Sequence, residues 1–133
     1  MTATTLISVV DDDESVRDST RTLLRSAGYK VATFESGELF LKSEALPDTD
    51  CLILDMRMPG MGGLELQRKL NASDAGLPVI FFTAHDDRIN RQSAIDGGAT
   101  AYFQKPFAAR DLLAAVETAI NRNPAISEAG KGR

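Results

Sequence analysis

Cys51-Leu52-Ile53-Leu54-Asp55-Met56-Arg57-Met58-Pro59-Gly60 is the stretch that decides the fold. Four apolar residues in succession, with no polar alternation, require a strand covered on both faces, and such strands belong to parallel sheets between helix layers. The run ends in an acid and then a Pro-Gly break, so Asp55 stands where a buried strand becomes a loop. Outward from it, Leu6 to Val10, Lys30 to Phe34, Pro78 to Phe82 and Ala101 to Gln104 are further short apolar runs. Lys30-Val-Ala-Thr-Phe34 is the least uniformly apolar and reads as an edge strand.

Helical spacing fills the gaps between these runs. Val16, Leu23, Leu24 and Ala27 mark a first helix that Gly28 stops, and Ser36 caps a second carrying Leu39 and Phe40. Leu66 and Leu70 mark a third. Ile89 and Ile95 give a thin apolar face to a fourth, which ends at Gly97-Gly98 and is held less firmly than its neighbours. Leu112, Leu113, Val116 and Ile120 form the stripe of a fifth, which stops before Pro124. Strand and helix alternate five times, the pattern of a doubly wound (βα)5 domain with helices on both faces.

The 133 residues, 43% hydrophobic, suffice for one core, placed here in residues 1–121, with the polar segment 122–133 read as a flexible tail or linker stub. Fifteen Lys and Arg against nineteen Asp and Glu leave a net charge of −4, which gives no footprint for direct nucleic-acid binding. Cys51 is the only cysteine, so an internal disulfide and a cysteine-rich zinc site are both excluded. No apolar run approaches the ~20 residues that span a bilayer, and Met1 to Thr5 carry no basic region. The chain reads as cytoplasmic, with no membrane partner.

In doubly wound folds the ligand site lies beyond the carboxyl ends of the strands, where strand order reverses. Asp11-Asp12-Asp13, Asp55, Thr83 and Lys105 each stand at such an end. Two carboxylates ~4 Å apart repel by about 4 kcal/mol at an effective dielectric of ~20, so the acids need a cation. Carboxylates, a loop carbonyl and water suit magnesium, with manganese as a substitute. With a metal present one carboxylate can attack phosphorus, which makes Asp55 a candidate acyl-phosphate acceptor. The Thr83 hydroxyl is placed to donate to a phosphoryl oxygen. Lys105 is placed to pair with Asp55 at rest and with the phosphoryl group afterwards, and Pro106 permits a cis Lys105–Pro106 bond. Asp13 reads as a helix N-cap rather than a ligand.

Val9-Val10-Asp11-Asp12, Leu54-Asp-Met-Arg-Met-Pro59 with Gly63, Phe82-Thr83-Ala84 and Tyr102-Phe-Gln-Lys-Pro-Phe107 resemble the motifs of bacterial response-regulator receiver domains. The resemblance covers about Leu6 to Asn121 and implies a flavodoxin-like sheet of strand order 2-1-3-4-5. It implies that Asp55 accepts a phosphoryl group from a histidine kinase, a histidine phosphotransfer protein or a small acyl phosphate. It also implies magnesium held by Asp12, Asp55 and the Arg57 main-chain carbonyl, with Asp11 holding metal-bound water. Thr83 and Lys105 match the residues that sense the phosphoryl group, and Tyr102 matches the aromatic that turns inward with Thr83. Together they would switch the face of the fourth and fifth helices, where a downstream protein docks or a phosphorylated homodimer forms. An output domain covalently attached outside this chain is the other implied partner, and the Leu54 to Pro59 segment looks like receivers joined to helix-turn-helix outputs.

Arg57 and His85 stand two residues past Asp55 and Thr83, at positions that vary in the family, and are expected to tune the lifetime of the phosphoryl group. Gly62 replaces a polar helix cap, which predicts a mobile metal loop on an intact fold. Two other readings compete with the receiver. Asp11-x-Asp13 resembles the nucleophile motif of haloacid-dehalogenase-type phosphatases, with Asp11 as nucleophile, and a receiver-fold adaptor would act without phosphorylation.

Overall fold

The computed structural model describes residues 5–73, 76–84 and 88–121. Expectations for His85 and for residues 122–133 lie outside the described residues. In chain order the elements are β1 (Leu6–Val10), α1 (Glu14–Ser26), β2 (Lys30–Phe34), α2 (Gly37–Lys42), a 3-10 turn (Leu46–Asp48), β3 (Cys51–Asp55), α3 (Gly63–Ala72), β4 (Val79–Thr83), α4 (Arg88–Asp96), β5 (Ala101–Gln104) and α5 (Ala109–Asn121). The strands form one parallel sheet of order β2-β1-β3-β4-β5, the expected architecture, with β2 at an edge.

The unbroken apolar runs are explained by two cores. Ile7 and Val9 of β1, Cys51 and Ile53 of β3, and Ile80 and Phe82 of β4 pack on one face with Leu24 of α1 and Leu112 and Val116 of α5. Their neighbours Val10, Leu52, Leu54, Val79 and Phe81 point the other way, against Phe40 of α2, Leu66 and Leu70 of α3 and Ala94 of α4. Alternate residues of a strand face opposite sides, so covering both faces demands apolar residues throughout. Each fully buried side chain of this size contributes roughly 1.5–3 kcal/mol.

The helix ends follow the sequence closely. Asp13 caps α1 by accepting from the Ser15 and Val16 N–H groups, and Gly28, at φ +97°, follows its last turn. Ser36 caps α2 through Leu39 N–H, whereas Gly62 gives α3 no side-chain cap. The face of α4 is a correction to the sequence reading: Ile89 is 77% and Ile95 50% exposed, and the residue turned inward is Ala94. The reason is space. A Cβ on Gly97 would stand 2.6–2.9 Å from the side chain of Gln67 on α3, so this end of α4 lies too close for a large side chain. Gln67 is itself buried and donates through Nε2 to the Ala94 carbonyl at 3.0 Å, while Asn71 Nδ2 donates to the Gly97 carbonyl at 2.9 Å.

Candidate functional site

The site is built at the carboxyl edge by register. Val10 pairs with Leu54 across β1 and β3, so Asp11 and Asp55 are the next residues of adjacent strands. Asp55 pairs with Phe82, and Thr83 with Gln104, which brings Thr83 and Lys105 to the same edge. The Lys105 N–H donates to the Thr83 carbonyl at 2.7 Å, tying these two together. A cleft of about 270 Å³ results, lined by Asp11, Asp12, Asp13, Asp55, Arg57, Thr83, Ala84 and Lys105. Of the expected site residues, Asp11, Asp12, Asp55, Arg57, Thr83 and Lys105 line this one cleft, Tyr102 does not, and the Lys105–Pro106 peptide is cis.

Three carboxylates dominate the cleft, and one oxygen from each of Asp11, Asp12 and Asp55 lies within 4.8 Å of the others. Asp11 and Asp55 are buried, while Asp12 is exposed to solvent. Burial first, and the charge of Asp11 second, push the Asp55 carboxyl up to about 7 from 3.8, against the opposing pull of Lys105. The Arg57 N–H donates weakly to Asp55 Oδ1 at 3.4 Å. Closely spaced hard oxygens that repel one another in a half-dry cleft fit a small divalent cation, and the donor set suits magnesium.

Lys105 reaches its expected partner Asp55 but lies closer to Asp11. Its Nζ lies 3.0 Å from Asp11 Oδ2 and 3.9 Å from Asp55 Oδ1, so the resting ion pair is chiefly with Asp11. Asp11 is fully buried, and a buried carboxylate without a cation is the costlier of the two to leave unpaired. A second contact seats the lysine: its ammonium lies 4.8 Å from the centroid of Phe82, whose ring stacks on Phe107. Phe82 has a role that the sequence hides, because an apolar strand residue gives no sign that a cation rests on its ring.

Arg17 is the other residue the sequence reading passed over. From α1 its Nη1 donates to the Asp11 main-chain carbonyl at 2.7 Å. A signal existed, since Arg17 stands one helical turn past the cap Asp13 and so on the same face of α1. Tyr102 lies on β5 behind the cleft. Its ring is 6.5 Å from that of Phe81 and lies under the guanidinium of Arg91 at 5.4 Å, with its hydroxyl oxygen buried. Gly63 completes the loop after Asp55, because a Cβ there would meet the Asp55 carbonyl oxygen at 2.5 Å.

Residues 7–117 match the family model of the response regulator receiver domain. The chain is 42% identical over 119 residues to the response regulator protein TmoT of Ectopseudomonas mendocina, covering 90% of this chain and 54% of that protein. It is 38% identical over 124 residues to the transcriptional regulatory protein FixJ of Bradyrhizobium diazoefficiens, covering 92% and 60%. The chain therefore spans little more than half the length of these curated relatives. Among solved structures, the response regulator StyR superposes with a TM-score of 0.86 at 44% identity, covering 98% of this chain and 66% of that one. A CheY-like receiver domain protein from Methanospirillum hungatei JF-1 gives 0.84 at 27% identity, covering 92% and 98%. Motifs, strand order and relatives agree, and the chain belongs to the response regulator receiver domain family.

Proposed function

We propose that this chain is the phosphoacceptor of a two-component signalling pathway, taking a phosphoryl group on Asp55 and changing what its surface binds. The observation that carries this reading is the buried Asp55 carboxyl, raised to about 7 beside Asp11 and Asp12 in a cleft that Lys105 and Thr83 also line. Magnesium held by Asp12, Asp55 and the Arg57 carbonyl, with Asp11 through water, would supply positive charge to the transferring oxygens. Asp55 attacks phosphorus, the P–N bond of a donor phosphohistidine breaks as the P–O bond forms, and the imidazole leaves with its electron pair.

Lys105 then exchanges Asp11 for the phosphoryl oxygens, and the Thr83 hydroxyl donates to another. Tyr102 passes that movement to the face made by α4, β5 and α5, for a downstream protein, an attached output module or a second phosphorylated copy. Water later hydrolyses the acyl phosphate, with Arg57 and His85 setting the rate. The donor is a histidine kinase or histidine phosphotransfer protein, and the names of relatives such as FixJ suggest transcription as the controlled process. Both Asp11 oxygens are engaged, one by Asp13 N–H and one by Lys105, which argues against Asp11 as a nucleophile.

The test is intact mass after incubation with magnesium and acetyl phosphate. Wild type is expected to gain one hydroxylamine-sensitive phosphoryl group and Asp55→Asn none. Labelling that persists in Asp55→Asn would exclude this acceptor, and sustained turnover of a phosphate ester would favour the phosphatase. In the same assay Arg57→Ala and His85→Ala are expected to load normally and decay at altered rates. Unchanged decay in both removes their assigned role.

A further inference from the structure

Asp11 is held by every polar group it has. Its N–H donates to the Phe34 carbonyl at 3.1 Å, Oδ1 accepts from Asp13 N–H at 2.8 Å, and Oδ2 accepts from Lys105 at 3.0 Å. The fourth contact is the Arg17 guanidinium on its main-chain carbonyl, at 2.7 Å and partly buried. The Arg17 N–H also donates to the Asp13 carbonyl at 3.0 Å, so one residue of α1 clasps both ends of the Asp11–Asp12–Asp13 turn. Asp12 is the middle residue of that turn, and its exposed carboxylate has an oxygen within 4.8 Å of one from each of Asp11 and Asp55.

We infer that Arg17 is a positioning residue for the divalent cation, closing the β1–α1 turn so that the carboxylates of Asp11 and Asp12 converge on Asp55. The inference rests on the reading of these acids as a magnesium site. Charge alone predicts the opposite sign. A guanidinium near three acids repels an incoming cation, so a bystander Arg17 would loosen binding and its removal would tighten it. A positioning Arg17 weakens binding when lost, as residues supporting metal ligands do. Lysine keeps the charge and loses the planar fork, so it separates the two contributions.

The experiment is a magnesium titration of the full chain followed by backbone amide NMR, in wild type, Arg17→Met, Arg17→Lys and Asp12→Asn. Arg17→Met is expected to weaken magnesium binding about tenfold, with faster exchange of the Asp13 and Ser15 amides and an otherwise native spectrum. Arg17→Lys falls between it and wild type, and serves as the deciding variant if Arg17→Met does not fold. Affinity equal to or tighter than wild type in the deciding variant overturns the inference while leaving the metal site standing. Wild type that binds no magnesium, or Asp12→Asn that binds it equally well, overturns the site reading and this inference with it.

Discussion

Asp55 shows how much of the site a sequence can carry at the scale of one residue. Its place after an apolar run is legible, as are those of Asp11, Thr83 and Lys105, because each closes a strand that hydrophobicity already outlines. The choice of Lys105 for Asp11 over Asp55 is not legible, since it turns on a difference between 3.0 and 3.9 Å. Nor is Phe82, whose role depends on where the Lys105 side chain points, while Arg17 was signalled only by its place one turn past the cap Asp13. The raised Asp55 carboxyl has a measurable consequence. A carboxyl that binds its proton more tightly when folded lends stability that is complete below 3.8 and lost as pH rises through about 7. Metal-free protein is therefore expected to weaken across that window. Asp55→Asn should be more stable than wild type by up to about 4 kcal/mol at pH 8 and nearly equal to it near pH 4, by urea unfolding. A gain of the same size at both pH values would contradict this account.

At the scale of elements, strands were legible to within a residue and helix faces less so. The expected strand Pro78 to Phe82 is Val79–Thr83, and β3 extends to Asp55, so the site residues Asp55 and Thr83 end the strands rather than begin the loops. In α4 the two isoleucines misled, because the inward face is chosen by what the neighbour permits, and Gln67 permits only Ala94 and Gly97. A buried polar strut on α3 is invisible to a count of apolar spacing. Gly97→Ala is expected to displace Gln67 from the Ala94 carbonyl, costing about 1–2 kcal/mol and speeding amide exchange in α4. In a Gln67→Ala background most of that cost should vanish, since the two positions share one space. Additive losses in the double-mutant cycle would show that the close approach carries no energy.

For the whole molecule, a length of 133 residues pointed to one core unit, and the described residues form one sheet. One sheet covered on both faces was foreseeable from the unbroken apolar runs, and an acid cluster at one edge from the acids that end two of them. Among the described residues no helix is long and apolar enough to cross a membrane. The crowded acids of the cleft are expected to make stability respond to divalent cations. Magnesium at a hundred times its dissociation constant should add about 2.7 kcal/mol to stability by mass action. The thermal midpoint is expected to climb with magnesium at pH 8, less so at pH 5 where Asp55 keeps its proton, and hardly at all with sodium at equal ionic strength. A midpoint indifferent to magnesium in wild type would argue against a cation site in this cleft.

Three of the four strand pairings join strands consecutive in the chain, and only β1 with β3 skips one. That pairing, the most widely separated in sequence, is also the one that sets Asp11 beside Asp55. The geometry of the cleft is thus a property of completed topology: neither the first βα unit nor the third holds it alone, and the phosphorylation proposed for Asp55 would report that the chain has closed its most distant strand contact.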